Sequence, residues 1–250
     1  MRALVLSDIH GSLEGLEAVL EAVGTVDAVW DLGDVVGYGA SPNDVVEKMR
    51  SIGTLHVRGN HDRVAASLSS SLNFNPVARA AALWTQEALS PENMEWVREM
   101  PHGPVQPEGI AVSLVHGSPL DEDDYILSVR DAWAPLQQMT QPITFFGHTH
   151  VQGGFIQQGT AWRELIPEYR TRDTAETWEL TISPESRYLI NPGSAGQPRD
   201  GDWRVAAAVY DTEASTVTFH RLPYDIIKAQ GKILMAGLPD RLALRLRDGK

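Results

Sequence analysis

The sequence predicts an α/β chain in which two β-sheets pack face to face and are flanked by helices. Three observations carry this reading. The chain opens with a β-α-β-α-β pattern, which calls for a parallel sheet. After Pro101 its character changes to a series of short strand-like runs separated by turn residues. Five short polar clusters each follow an apolar run: Ser7-Asp8-Ile9-His10, Gly33-Asp34, Gly59-Asn60-His61-Asp62, His116-Gly117 and Gly147-His148-Thr149-His150.

The elements are read in order as follows. Ala3–Leu6 is a buried strand, followed by a helix from about Ser12 to Val23 with Leu13, Leu16, Val19, Leu20 and Val23 on one face. Ala28-Val29-Trp30 is the second strand. Ser41-Pro42 then opens a helix to about Arg50, with serine as N-cap and proline in the first turn. Leu55-His56-Val57 is the third strand. Val64–Arg98 reads as a mostly helical insertion, restarted at Ser90-Pro91. Strands are then expected at Val105, Ile110–Val115, Ile143–Phe146, Gly154–Gln157, Trp178–Ile182, Tyr188–Ile190, Val205–Tyr210 and Val217–His220. From about Tyr224 the chain turns helical, breaks at Gly237-Leu238-Pro239 and resumes to Arg247. Residues 1–250 are read as one domain, long enough to bury a good core.

Composition narrows the class. No apolar run approaches the roughly 20 residues of a membrane span. Met1-Arg2-Ala3 runs directly into a core strand and leaves no room for a signal peptide, so the expected location is the cytoplasm. Without cysteine there are no disulfides and no zinc-thiolate sites. A net charge of −12 argues against a broad nucleic-acid-binding face. It leaves room for a small anionic substrate, because bound cations would dominate the field around them.

The five clusters supply carboxylate, imidazole and one carboxamide, a ligand set suited to divalent first-row metals. Each stands where a strand ends, and in α/β sheets the carboxyl ends of the strands form the rim at which ligands bind. Positions 8 to 150 would thus converge on one site. Asp8 and His10 are two apart, so in extended backbone both side chains point the same way. The ordinary alternatives are a turn at Asp8 and a surface His10. Gly33-Asp34 alone is a common turn dipeptide. In Gly59-Asn60-His61-Asp62, glycine permits close backbone approach and asparagine offers a carbonyl oxygen, although Asn60 also suits a helix start. His148 and His150 repeat the two-apart spacing after an aromatic strand.

These residues resemble the calcineurin-like metallophosphoesterase superfamily, whose pattern is Asp-x-His, Gly-Asp, Gly-Asn-His-Asp/Glu, a later His and Gly-His-x-His. The resemblance implies a four-layer α-β-β-α sandwich of two mixed sheets and a dinuclear centre of two divalent ions. Mn, Fe, Zn, Ni and Co all suit the ligands, with Mn taken first. It implies that Asp8, His10 and His150 hold one ion and that Asn60, His116 and His148 hold the other, with Asp34 bridging. Two such ions, about 3.5–4 Å apart, clamp a phosphoryl oxygen and activate a bridging water. His61 is then expected to act as general acid or as donor to a charged phosphate oxygen. Asp62 is expected to orient His61, with a plain helix-start role as the alternative.

Substrate choice is less legible. Ser/Thr protein phosphatases of this superfamily follow Gly-Asp with a segment ending Asp-Arg-Gly; here Tyr38 occupies the arginine's place, although Arg58-Gly59-Asn60-His61 is similar to their next motif. Gly37-Tyr38-Gly39 and Asn191-Pro192-Gly193-Ser194 are similar to segments of small bacterial and archaeal phosphodiesterase-like members. Ser194, Arg199 and Arg204 are further candidates for substrate contact, the ordinary readings being a turn and solvated loops. The leading expectation is a phosphodiesterase acting on a small nucleotide or related diester. A phosphomonoesterase and a non-catalytic metal-binding scaffold stay open.

Overall fold

A computed structural model describes residues 1–250. Strand β1 (Arg2–Leu6), helix α1 (Leu13–Val23), β2 (Ala28–Asp31), α2 (Pro42–Ile52) and β3 (Leu55–His56) form the expected opening, with β1, β2 and β3 parallel. Helices α3 (Asn60–Ala65), α4 (Pro76–Ala88) and α5 (Pro91–Glu99) follow. The chain continues through β4 (Val112–Leu114), α6 (Val129–Gln138), β5 (Ile143–Phe145), β6 (Gly153–Gln158), β7 (Ala161–Leu165), β8 (Glu176–Thr181) and β9 (Ser186–Asn191). It closes with β10 (Val205–Asp211), β11 (Thr216–Leu222), α7 (Ile226–Met235), α8 (Asp240–Leu244) and a 3-10 turn at Arg245–Asp248.

The strands make two mixed sheets, ordered β3-β2-β1-β10-β11-β8 and β4-β5-β9-β6-β7. Period-two alternation assigns each strand's side chains to two different layers. On β1, Ala3 and Val5 face the second sheet, while Leu4 and Leu6 face the helices. On β10, Ala208 and Tyr210 enter the inter-sheet core, while Val205, Ala207 and Val209 meet the helices. Trp30, Phe145, Tyr188 and Phe219 fill the space between the sheets. On the far side, α6 lays Ala132 and Leu136 against Phe146, Phe155 and Leu189. Two sheets enclosed by two helical layers are the four-layer sandwich.

Local chemistry explains the helix starts in the 64–98 stretch. The Asn75 side chain accepts from the Val77 and Ala78 amides ahead of Pro76, and Ser90 accepts from the Asn93 amide ahead of Pro91. Three expectations are corrected. Ser41 stands at the N-cap position of α2 without a capping hydrogen bond; its hydroxyl instead accepts from Lys232 at 2.9 Å. Val105 is no strand and makes a single bridge to Leu114. Strand β7, Ala-Trp-Arg-Glu-Leu, is missing from the expectation because it is an edge strand with exposed charges, which mask its apolar pattern.

Candidate metal centre

Every polar cluster sits just past the carboxyl end of a strand: Asp8 after β1, Asp34 after β2, Asn60 after β3, His116 after β4, His148 and His150 after β5. The first three strands belong to one sheet and the last two to the other. Packing the sheets face to face therefore closes the two halves of the site upon each other.

The ligand atoms form two groups that share Asp34: Asp8, His10, Asp34 and His150 in one, and Asp34, His116 and His148 in the other, all buried. The Asn60 carbonyl oxygen lies 3.1 Å from His116 Nε2, which adds it to the second group. Asp34 Oδ2 stands 3.6 Å from His10 Nε2 and 3.5 Å from His116 Nε2, so one oxygen serves both groups.

Ring orientation carries the metal reading. His10 Nδ1 donates to the Val36 carbonyl at 3.1 Å, His116 Nδ1 to Leu32 at 2.8 Å, His150 Nδ1 to Gln197 at 2.6 Å, and His148 Nε2 to Asp123 at 3.2 Å. A backbone carbonyl can only accept, so each ring's second nitrogen presents a lone pair to the interior. Those lone pairs face one another: His10 Nε2 and His150 Nε2 are 3.1 Å apart, as are His116 Nε2 and His148 Nδ1. Asp8 Oδ1 is buried beside them without a hydrogen-bond partner. Converging, uncompensated lone pairs of this kind are what a divalent cation satisfies, and the carbonyl partners are the usual outer support of metal-binding histidines. Burial opposes charge on His116, yet Asp34 and Asp8 outweigh it and raise its pKa to about 10; without a cation beside it Nε2 takes up a proton, which a bound ion would displace to use the lone pair. The site draws positive charge inward.

Six residues of the site hold positive φ although none is glycine: Asp8 at 53°, His10 at 50°, Asp34 at 55°, Tyr38 at 59°, His148 at 65° and His150 at 59°. Each left-handed residue costs on the order of 1 kcal/mol, and such strain collects at functional sites. The expectation of extended backbone through Asp8 and His10 is thereby corrected. The chain kinks at each ligand, and the side chains converge by that kink rather than by strand alternation.

A family model for the calcineurin-like phosphoesterase superfamily domain matches residues 1–215. The chain belongs to the calcineurin-like phosphoesterase superfamily. It is 32% identical to the uncharacterized protein MJ0912 of Methanocaldococcus jannaschii, over 98% of this chain and 97% of that one. A crystal structure of a metallophosphoesterase from Sphaerobacter thermophilus is 37% identical and superposes with a TM-score of 0.83 over 100% of this chain and 99% of that one. Over 106 residues, 40% of this chain and 37% of the relative, the sequence is 29% identical to the symmetrical bis(5'-nucleosyl)-tetraphosphatase of Yersinia pestis.

The remaining candidates in this phosphoesterase divide sharply. His61 is buried, its ring centroid 4.9 Å from that of His10, 4.3 Å from Tyr38 and 4.6 Å from Phe74. Burial, reinforced by Arg199 against the pull of Asp34, lowers its pKa to about 4, so the ring is neutral at pH 7. Its Nδ1 is unpartnered, which corrects the expected pairing with Asp62. Both Asp62 oxygens are engaged elsewhere, accepting from the backbone amides of Asp34 at 2.7 Å, Gly59 at 2.9 Å and Val36 at 3.2 Å. Asp62 caps its own helix and clamps the Asp34 loop.

Ser194 is likewise a clamp and not a substrate contact. Its hydroxyl donates to the Asp8 carbonyl at 2.7 Å and accepts from the Gln197 amide at 2.6 Å. Asn191, opening the same segment, donates to the Gly147 carbonyl and to Thr149 Oγ1. The Asn-Pro-Gly-Ser stretch thus ties the Asp8 loop to the His148–His150 loop. Arg204 is fully buried, paired with Asp202 at 2.6 Å and Glu176 at 3.0 Å, so it is structural. Arg58 is neutralised by Glu122 at 3.2 Å, and Arg63 pairs with the same carboxylate. Glu122, and Asp123 beside it through Arg63, therefore brace the rim. Arg199 and Tyr38 do lie at the centre, the Arg199 guanidinium 5.7 Å from the centroid of the Tyr38 ring. A cavity of about 580 Å³ lies beside Thr149 and includes none of the candidate metal ligands.

Two predictions follow from this geometry. A Cβ on Gly59 would stand 2.1 Å from Asp34 Oδ1, so Gly59→Ala should expel that carboxylate; metal analysis should then find most bound divalent metal gone while circular dichroism still reports a folded chain. The second concerns Asp202. Although partial burial works against its charge, the hydrogen bonds from Arg204 lower its pKa below the ordinary 3.8. A depressed carboxylate contributes stability above its unfolded pKa and loses it as pH falls through the folded one. Asp202→Asn should therefore destabilise the protein at neutral pH, with the difference from the unaltered chain shrinking below about pH 4 in urea titrations.

Proposed function

We propose that this phosphoesterase hydrolyses a phosphodiester of a small nucleotide or related compound at a dinuclear metal centre. The observation that carries the reading is the set of four imidazoles, each with one nitrogen committed to a backbone carbonyl and the other turned toward Asp8, Asp34 and Asn60. Asp8, His10 and His150 would hold one ion, Asn60, His116 and His148 the other, and Asp34 both. Two divalent ions bound there supply Lewis acidity to the phosphoryl oxygens and a nucleophilic water at neutral pH; manganese is our first choice.

The protein's own groups do the rest. His61, neutral at pH 7, acts as a hydrogen-bond donor to charge developing on the phosphoryl or leaving oxygen. Cations added nearby would depress its pKa further, so the donor role is favoured over that of an imidazolium acid. Phe74 and Tyr38 wall the ring in and keep its face dry. Asp62 positions Asp34 through the backbone and does not meet the substrate.

Preference for a diester over a monoester rests on the two positions at which the protein phosphatases carry arginine: Arg58 is spent on Glu122, and Tyr38 stands in place of the other. The partial likeness to a bis(5'-nucleosyl)-tetraphosphatase points the same way. With manganese loaded, a chromogenic diester should turn over faster than its monoester. His61→Ala should retain metal and lose about 10²–10³-fold in kcat. Monoester preference would make the protein a phosphomonoesterase, and no turnover of either would favour a scaffold.

A further inference from the structure

Around the metal centre most charged side chains are paired, even in a chain rich in acids, with 33 Asp and Glu against 21 Lys and Arg. Arg58 and Arg63 meet Glu122, and Arg204 meets Asp202 and Glu176. Arg199 and Arg245 are exceptions. Neither contacts a carboxylate. Arg199 Nε, Arg245 Nε and Arg245 Nη2 are buried without any hydrogen-bond partner, and the sole hydrogen bond from the Arg199 guanidinium goes to the neutral Gln197 side chain at 3.3 Å.

Both guanidinium groups lie against one aromatic ring, 5.7 Å and 4.8 Å from the centroid of Tyr38. That ring is 4.6 Å from His10 and 4.3 Å from His61, which sets the two arginines one aromatic ring away from the metal centre. Burial, and then the neighbouring charge of Arg199, depress Arg245 to about 10, while a hydrogen bond to Tyr38 works against them. Tyr38 itself is held at a positive φ of 59° between Gly37 and Gly39. Two cations on one ring without a carboxylate, with three guanidinium nitrogens unpartnered, form a receptor for an anion.

We infer that Arg199 and Arg245, laid against Tyr38 beside the metal centre, form a second anion subsite, so that the substrate carries a further phosphoryl group joined to the scissile one, as in a nucleoside or dinucleoside polyphosphate. The inference deepens the proposed function and rests on it for the scissile group. Binding of the second phosphoryl depends only on the arginines. Their forked donors match two phosphate oxygens at a time, whereas the metal ligands would serve the scissile phosphorus.

The test compares inorganic phosphate with pyrophosphate as inhibitors of chromogenic diester hydrolysis, at a fixed free manganese concentration. Pyrophosphate should inhibit the unaltered protein at about tenfold lower concentration, the gain of one good charge-assisted contact. Arg199→Gln and Arg245→Gln should each bring that ratio near one, and Arg245→Lys should give an intermediate ratio because it keeps the charge without the fork. Arg130→Gln, which removes the same charge from an exposed position on α6, should leave the ratio as it was. A ratio unchanged in both glutamine variants would overturn the subsite. So would equal weakening of both anions, since the arginines would then be serving the scissile phosphoryl. If the unaltered protein fails to hydrolyse the diester, the phosphodiesterase reading fails by itself; calorimetric titration with pyrophosphate then decides the subsite. Binding weakened about tenfold in Arg245→Gln supports it, and equal or undetectable binding in both proteins overturns it.

Discussion

The carboxylate of Asp34 is the joint on which the site depends. One of its oxygens accepts from the His61 amide at 2.8 Å, and the other faces both His10 and His116. Its own amide is held by Asp62 at 2.7 Å. A buried carboxylate placed between two imidazoles whose remaining nitrogens are already committed leaves one economical solution, which is positive charge on either side of it. The left-handed backbone at Asp8, His10, Asp34, His148 and His150 persists because the surrounding loops over-determine it. Asp62 holds the Asp34 loop, and Ser194 and Asn191 hold the others.

The sandwich supplies this rigidity. Parallel strands β1, β2 and β3 deliver one half of the candidate ligands, and β4 and β5 deliver the other from the opposing sheet. The inter-sheet core of Trp30, Phe145, Tyr188 and Phe219 fixes the spacing between the halves. No single element contains the site, so its geometry is a property of sheet packing.

Much of this was legible in the sequence because it is carried by residue type at short spacing. Asp8-x-His10 and His148-x-His150 keep their meaning whatever the backbone does between them, and the short apolar runs ahead of the clusters announce the strands. What was illegible has physical reasons. Asp62 follows His61 in the chain, but neighbouring residues on a helix do not face each other, and its carboxylate turned instead to the backbone amides of a loop 28 residues away. Ser194 looked like a substrate contact because a hydroxyl gives no sign of whether it will meet solvent or a carbonyl. Arg245 is hard to read from the sequence because it lies far beyond the last motif, in a C-terminal 3-10 turn. The only available signal was the cationic spacing of Arg241, Arg245 and Arg247.

The central claim is that one carboxylate serves two ions, and metal stoichiometry tests it most directly. Asp34→Asn keeps the shape and the Asp62 clamp while removing the charge. Elemental analysis of the manganese-loaded protein should find two ions per chain in the unaltered protein and fewer than one in the variant, because both sites lose the same ligand. Two ions retained in Asp34→Asn, or one ion lost with the other bound at undiminished affinity, would contradict the account.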